Sequence, residues 1–112
     1  MAEEKDKLDI LSKCTGFEWD EHNSNKVWIK HHVSPSECEQ TFFNIPLIIF
    51  DDIDHSATEK RYYALGYTDG IKCLFIVFTL RNQKIRVISA RDMNRKERKE
   101  YEFHKENTKI QK

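Results

Sequence analysis

Five side chains in this 112-residue chain have the types and spacing to act on a phosphate: His31, Arg61, Arg86, Ser89 and Arg91. Three of them fall in Lys84-Ile85-Arg86-Val87-Ile88-Ser89-Ala90-Arg91, where Ile85, Val87, Ile88 and Ala90 mark a strand. Packing alone would choose apolar residues there, so arginines and a serine need another reason. A guanidinium fixed at a strand presents a planar fork that pairs bidentately with an oxyanion. The mild implication is phosphate binding, and the sharper one is chemistry on RNA. Cleavage of RNA without a metal uses the substrate's own 2′-hydroxyl as nucleophile. The protein then supplies a proton carrier and two or three cations around one phosphate. Positioned acid–base groups contribute roughly 10²–10⁴-fold, and preorganised positive donors often more. Dependence on the 2′-hydroxyl would also spare DNA.

His31 suits the proton carrier because imidazole titrates near neutral pH. A lone histidine near a helix C-terminus is more often a partner for the helix dipole than a catalyst. Arg61, Arg86 and Arg91 are the candidate phosphate clamp, with Asp51, Asp52, Asp54 and Glu59 as alternative ion-pair partners. Arg86 and Arg91 are five positions apart, so an unbroken strand sends them to opposite faces. Either a bulge intervenes, or Arg91 lies beyond the strand end and swings back. Ser89 is placed to hydrogen-bond a phosphate oxygen or simply to fill the strand. Tyr62 and Tyr63 could stack on bases, although strand aromatics also serve as core or cross-strand pairs. Arg95, Lys96, Arg98 and Lys99 could track an RNA backbone, receive an acidic partner segment or form a solvated face. Glu37 is explained by helix capping. Asp52, Asp54 and His55 could bind a divalent ion, yet a polar turn satisfying its own backbone explains them too. No other tight His/Cys/Asp/Glu cluster exists, so no metal or cofactor is expected.

The elements that must position these residues follow from local signals. Residues 1–15 read as a flexible lead with a short amphipathic turn at Leu8, Ile10 and Leu11. Phe17-Glu18-Trp19 is a brief strand. Asp20 caps a helix over about 21–31. Ser34-Pro35-Ser36-Glu37 joins a capping serine, a first-turn proline and a third-position glutamate, opening a helix to about Phe43. Pro46 to Phe50 is a buried strand, Lys60 to Tyr67 another, and Thr68-Asp69-Gly70 a turn. Ile71 to Leu80 is apolar on both faces, as a central strand covered on both sides would be. Arg81-Asn82-Gln83-Lys84 turns into the strand 84–91, and turns this short require antiparallel neighbours. A polar helix over about 94–104 opens at Asn94, with Glu97 in its capping box. The expected fold is α+β: two N-terminal helices, an antiparallel meander of about four strands and a C-terminal helix. One domain is expected over 16–105, with a tail at 106–112.

Charged residues make up 34% and hydrophobic residues 38%, so the core is modest. Net charge is zero but unevenly placed. Residues 1–80 carry 8 Lys/Arg against 14 Asp/Glu, net −6, and residues 81–112 carry 11 against 5, net +6. That asymmetry points to an anionic partner for the basic segment. No apolar run approaches the roughly 18–20 residues that span a bilayer, and the N-terminus has no secretory apolar segment. Cys14, Cys38 and Cys73 are odd in number and far apart, as reduced thiols of a cytoplasmic protein would be.

Several stretches together resemble the BrnT toxins of type II toxin–antitoxin systems, from Phe17 to about Phe103. They are Phe17-Glu18-Trp19-Asp20, Lys30-His31 with Val33-Ser34, and Asp52-Ile53-Asp54-His55-Ser56. Arg61 to Gly66, Ile85 to Arg91, Glu97-Arg98 and Tyr101 complete the set. The resemblance implies a small ribonuclease with a fold similar to the RelE toxins, cleaving RNA without a metal and inhibiting translation. Its catalytic set would be His31, Arg61, Arg86, Ser89 and Arg91, with Tyr63, Arg95, Arg98 and Lys99 binding RNA. It also implies a BrnA-like antitoxin, a ribbon-helix-helix DNA binder that occludes the toxin in a heterotetramer and represses their operon. This chain departs from the family with His32 where glycine is usual and Val27 where asparagine is common. The alternative is a binding module that keeps the scaffold and binds antitoxin or RNA without cutting. A DNA-binding accessory is disfavoured, since no helix-turn-helix pair presents a base-reading face.

Overall fold

Reciprocal caps begin each of the three α-helices among the described residues. The computed structural model describes residues 10–53 and 59–110. Ahead of α1 (Glu21–His31), the Asp20 carboxylate accepts the Asn23 N–H at 3.1 Å, while Asn23 Oδ1 accepts the Asp20 N–H at 2.8 Å. Ser34 and Glu37 do the same for α2 (Pro35–Phe43), at 3.1 and 2.9 Å. Asn94 and Glu97 repeat it for α3 (Arg95–Ile110), at 2.8 and 2.9 Å. α3 runs past the expected end at 104. No helix among the described residues is long and apolar enough to cross a membrane.

Five strands make one sheet: β1 (Gly16–Phe17), β2 (Ile48–Asp51), β3 (Arg61–Tyr67), β4 (Cys73–Arg81) and β5 (Lys84–Asp92), in the order β1-β5-β4-β3-β2. The meander β2-β3-β4-β5 is antiparallel as expected. Asn82 and Gln83 both take positive φ, 51° and 64°, the backbone that a two-residue hairpin turn needs to match strand twist. The sheet gains a fifth strand and becomes mixed because β1 pairs in parallel with the start of β5, Gly16 opposite Lys84 and Phe17 opposite Ile85. Two residues carry no alternation pattern, so that partner was not visible in sequence. β1 reaches only the first two residues of β5, which leaves the rest of β5 as a sheet edge.

One sheet face carries Ile49, Ala64, Ile76, Phe78, Val87 and Ala90 and is covered by α1 and α2, which contribute Val27 and Cys38 to the same core. Desolvation pushes the Cys38 thiol up to about 12, so it stays protonated as a packing group. α2 lies so close to β3 that a Cβ on Gly66 would meet Thr41 Cγ2 at 2.7 Å. Ile10, Leu11 and Cys14, placed in the lead by sequence, pack against this core. The second face is covered at one end only, where Met93 and Tyr101 meet Ile48 and Leu65. Tyr101 donates to the Pro46 carbonyl at 2.6 Å, and burial raises its phenol above the ordinary range. The central strand is therefore fully covered on one side and half covered on the other, with Val77 only half-buried.

α1 ends on His32 in the left-handed conformation, φ 55° and ψ 39°, its N–H reaching the Trp28 carbonyl at 2.8 Å. This helix-ending geometry is one glycine takes without steric cost and a β-carbon opposes. Replacing His32 with glycine should therefore raise unfolding free energy by about 1 kcal/mol. Urea denaturation of both proteins checks it, with no gain expected for His32→Ala.

Candidate active site

One extra residue in β5 decides which side chains meet. Ser89 pairs with Val77 and Val87 with Phe78, so Ile88 has no opposite residue. The bulge shifts parity: Ile85, Val87 and Ala90 point into the core, while Arg86, Ser89 and Arg91 share the outer face. Arg61 lies on that face too, two strands from Arg86 across Thr79. The bulge is the first of the two alternatives that the five-residue spacing allowed.

Beside the free edge of β5, the second half of α1 encloses a cleft of about 310 Å³, lined by Lys26, Val27, His31, Ser89, Ala90 and Arg91. Three of the five sequence candidates, His31, Ser89 and Arg91, therefore come together. The side chains of Lys26, His31 and Ser89 have no hydrogen-bond or ion-pair partner among the described residues. Val27, where asparagine is common in the family, is 1% exposed and forms floor rather than polar wall.

Arg91 is held from three sides. Its Nη1 and Nη2 donate to the two Glu97 oxygens at 2.8 and 2.9 Å, and Nη1 also donates to the Asp92 carbonyl at 3.1 Å. Its guanidinium carbon sits 4.1 Å from the Phe75 ring centroid. Of the five N–H donors of an arginine, this leaves the Nε–H and one Nη2–H, a second fork for an oxyanion. The Glu97 hydrogen bond raises the Arg91 pKa further. Burial pushes the Glu97 carboxyl up, but the Arg91 and Asn94 hydrogen bonds outweigh it and hold it below its usual range.

The expected convergence of all three arginines on one phosphate does not occur. Arg86 and Arg91 align with Thr79 and Phe75, four residues apart on β4, or about 13 Å along the strand. Arg86 has a side chain only 12% exposed and lies 3.0 Å from Asp20 and 3.5 Å from Glu18. Asp20 is held below its usual range by the Asn23 N–H first and Arg86 second. Glu59, an expected partner, instead pairs with Arg81 at 2.7 Å.

The expected RNA-binding residues also divide. Tyr63 is stacked between Phe50 and Phe75, with centroids at 4.9 and 5.2 Å, so neither ring face is free for a base. Tyr62 faces the core against Phe78. Arg95, Arg98 and Lys99 form an exposed stripe on α3 at i, i+3, i+4 spacing, outside the cleft lining. Asp54 and His55 lie outside the described residues, among which no cluster of three or more His, Cys, Asp or Glu could hold a metal.

Two residues at the site escaped the sequence. Lys26 looks like any solvated helix lysine until the phase of α1 against β5 is known. Glu97 was read as a cap, and its second task follows only from the position of Arg91. Because its carboxyl is held low in the fold, Glu97 contributes stability above the ordinary glutamate range, lost as pH falls through the lowered value. Glu97→Gln should lower stability by about 1–2 kcal/mol at neutral pH, discounted for an Arg91 one-third exposed. The gap should narrow as pH falls below the ordinary glutamate range. Denaturation of both proteins across pH measures it.

Residues 19–97 match the sequence model of the BrnT family, described as the ribonuclease toxin of type II toxin–antitoxin systems. No curated protein matches the chain. Among solved structures, the Brucella abortus ribonuclease toxin BrnT, a crystal structure at 1.1 Å resolution, is similar with a TM-score of 0.54 and 19% identity. The likeness covers 72% of this chain and 99% of the Brucella chain and speaks to the fold alone. The family match runs from Trp19, just before α1, to Glu97 on α3 and so includes both walls of the cleft. The chain belongs to the BrnT family of ribonuclease toxins of type II toxin–antitoxin systems.

Proposed function

We propose that the protein is a metal-independent endoribonuclease that inhibits translation by cutting RNA and is silenced by a BrnA-like ribbon-helix-helix antitoxin. The observation that carries this reading is the meeting of His31, Ser89 and Arg91 in one cleft at a sheet edge. A phosphodiester seated there takes the second fork of Arg91, and the Ser89 hydroxyl donates to another phosphate oxygen. Neutral His31 accepts the proton of the substrate 2′-hydroxyl. The 2′-oxygen then bonds to phosphorus, the bond from phosphorus to the 5′-oxygen breaks, and that oxygen leaves with a proton from water. The products are a 2′,3′-cyclic phosphate and a free 5′-hydroxyl. Arg61 contacts the RNA farther along the face, and Arg86 braces the scaffold. The stripe Arg95, Arg98 and Lys99 tracks the RNA backbone or takes an acidic antitoxin segment, and one antitoxin dimer joins two toxins in a heterotetramer.

A second reading has its own observation. Arg91 is already neutralised by Glu97, as in a module that binds without cutting. Expression alone should arrest growth, and the candidate antitoxin from the adjacent gene should relieve the arrest. Purified protein should cut an RNA oligonucleotide in the presence of a chelator, and a 2′-deoxy substitution at the cleaved position should block it. His31→Ala and Arg91→Ala should each lower kcat by roughly 10²–10³-fold. Uncut RNA with intact antitoxin binding would establish the binding module instead.

A further inference from the structure

The cleft that the proposed nuclease would use has a charge balance that its three expected residues do not meet. A phosphorane gains negative charge as it forms, so the site must hold positive charge that is not already compensated. Arg91 is locked to Glu97 by two hydrogen bonds, and its charge is matched there. Ser89 and the neutral imidazole bring none. Among the six lining residues this leaves Lys26, an exposed lysine whose ammonium takes no partner among the described residues.

We propose that Lys26 is a further catalytic residue, its ammonium contacting a non-bridging oxygen of the scissile phosphate and carrying the charge that develops there. This rests on the nuclease reading for its chemistry, but its phosphate contact can be measured without cleavage. The two cations divide the work by their build. The Arg91 fork is fixed by Glu97 and Phe75 and sets the position of the phosphate. An ammonium on a flexible four-carbon stem has three rotatable donors and follows the oxygens as the geometry at phosphorus changes. Placement supports the assignment: Lys26 adjoins Val27, which forms the cleft floor and lies one turn before His31, and Lys26 and His31 both line the cleft from α1.

The test compares wild type, Lys26→Gln, Lys26→Arg and Lys13→Gln, the last removing the same charge from an exposed site outside the cleft lining. Binding of a non-cleavable 2′-deoxy-substituted oligonucleotide is followed by anisotropy against salt concentration. For one lost single-strand phosphate contact, Lys26→Gln should flatten the slope of log affinity against log salt by about 0.7. Lys26→Arg should keep the wild-type slope. With cleavable RNA, Lys26→Gln should lower kcat by roughly 10²-fold, more than it weakens binding, and Lys26→Arg should recover part of it. Lys26→Gln binding and cutting like Lys13→Gln would overturn the proposal. If wild type binds but cuts nothing, the nuclease reading and the catalytic role fall together, and the salt slope still decides whether Lys26 meets phosphate.

Discussion

The unpaired Ile88 in β5 is the constraint from which the rest of the site follows. Side chains alternate strictly along a regular strand, so with Ile88 paired in register and no bulge, Ser89 and Arg91 would share the parity of Val87 and face the core. A guanidinium driven beneath α1 would cost several kcal/mol unless a buried carboxylate came with it. The bulge is held from both sides by residues with no tolerance for exposure, Val87 and Ala90, each 0% exposed. Apolar burial therefore fixes the kink, and the kink delivers polar groups to the outer face. It also explains why the strand could carry arginines at all: they occupy positions the core does not use.

Arg91 gains aim and loses charge by the same contact. The Glu97 carboxylate that matches the guanidinium also caps α3, and Phe75 beneath Arg91 continues through Tyr63 to Phe50 in a stacked row across three strands. A cation built into a network like this pays no reorganisation when a phosphate arrives, but its field is weakened by its counter-ion. Two donors left free on Arg91 keep the site usable, and a second, uncommitted cation nearby makes up the field. The division between one fixed and one mobile positive group is the simplest arrangement that satisfies both needs.

Much of this was legible in the residues, and the gaps have physical causes. Caps at Asp20, Ser34 and Asn94 are local signals, so helix starts could be read directly, as could the tight turn at Asn82-Gln83. The parity conflict between Arg86 and Arg91 flagged the bulge without deciding it, because a bulge is chosen by what packs on the two faces. β1 was missed as a parallel partner because two residues have no period. Tyr63 looked available for bases since its neighbours Phe50 and Phe75 are distant in sequence. Lys26 and Glu97 depend on which helix turn faces which strand residue, a relation that exists only after folding.

Arg86, singled out in the sequence for chemistry, ties together the elements that carry the two walls of the cleft. Its nearly buried guanidinium sits against Asp20, the residue that caps α1. Asn23, 2% exposed, completes that cap and sends its side-chain N–H groups to the carbonyls of Val87 at 3.0 Å and Glu18 at 3.1 Å. Helix start, β1 exit and β5 are thus tied at one point, directly before the bulge. Lys26 and His31 stand on the helix side of that joint, and Ser89 and Arg91 on the strand side. A cleft whose walls come from two elements keeps its width only if those elements cannot slide. The Arg86 ion pair, buried on the arginine side only, and the asparagine bridge supply that restraint, because breaking them would leave a nearly buried guanidinium and the carbonyls of Val87 and Glu18 short of partners.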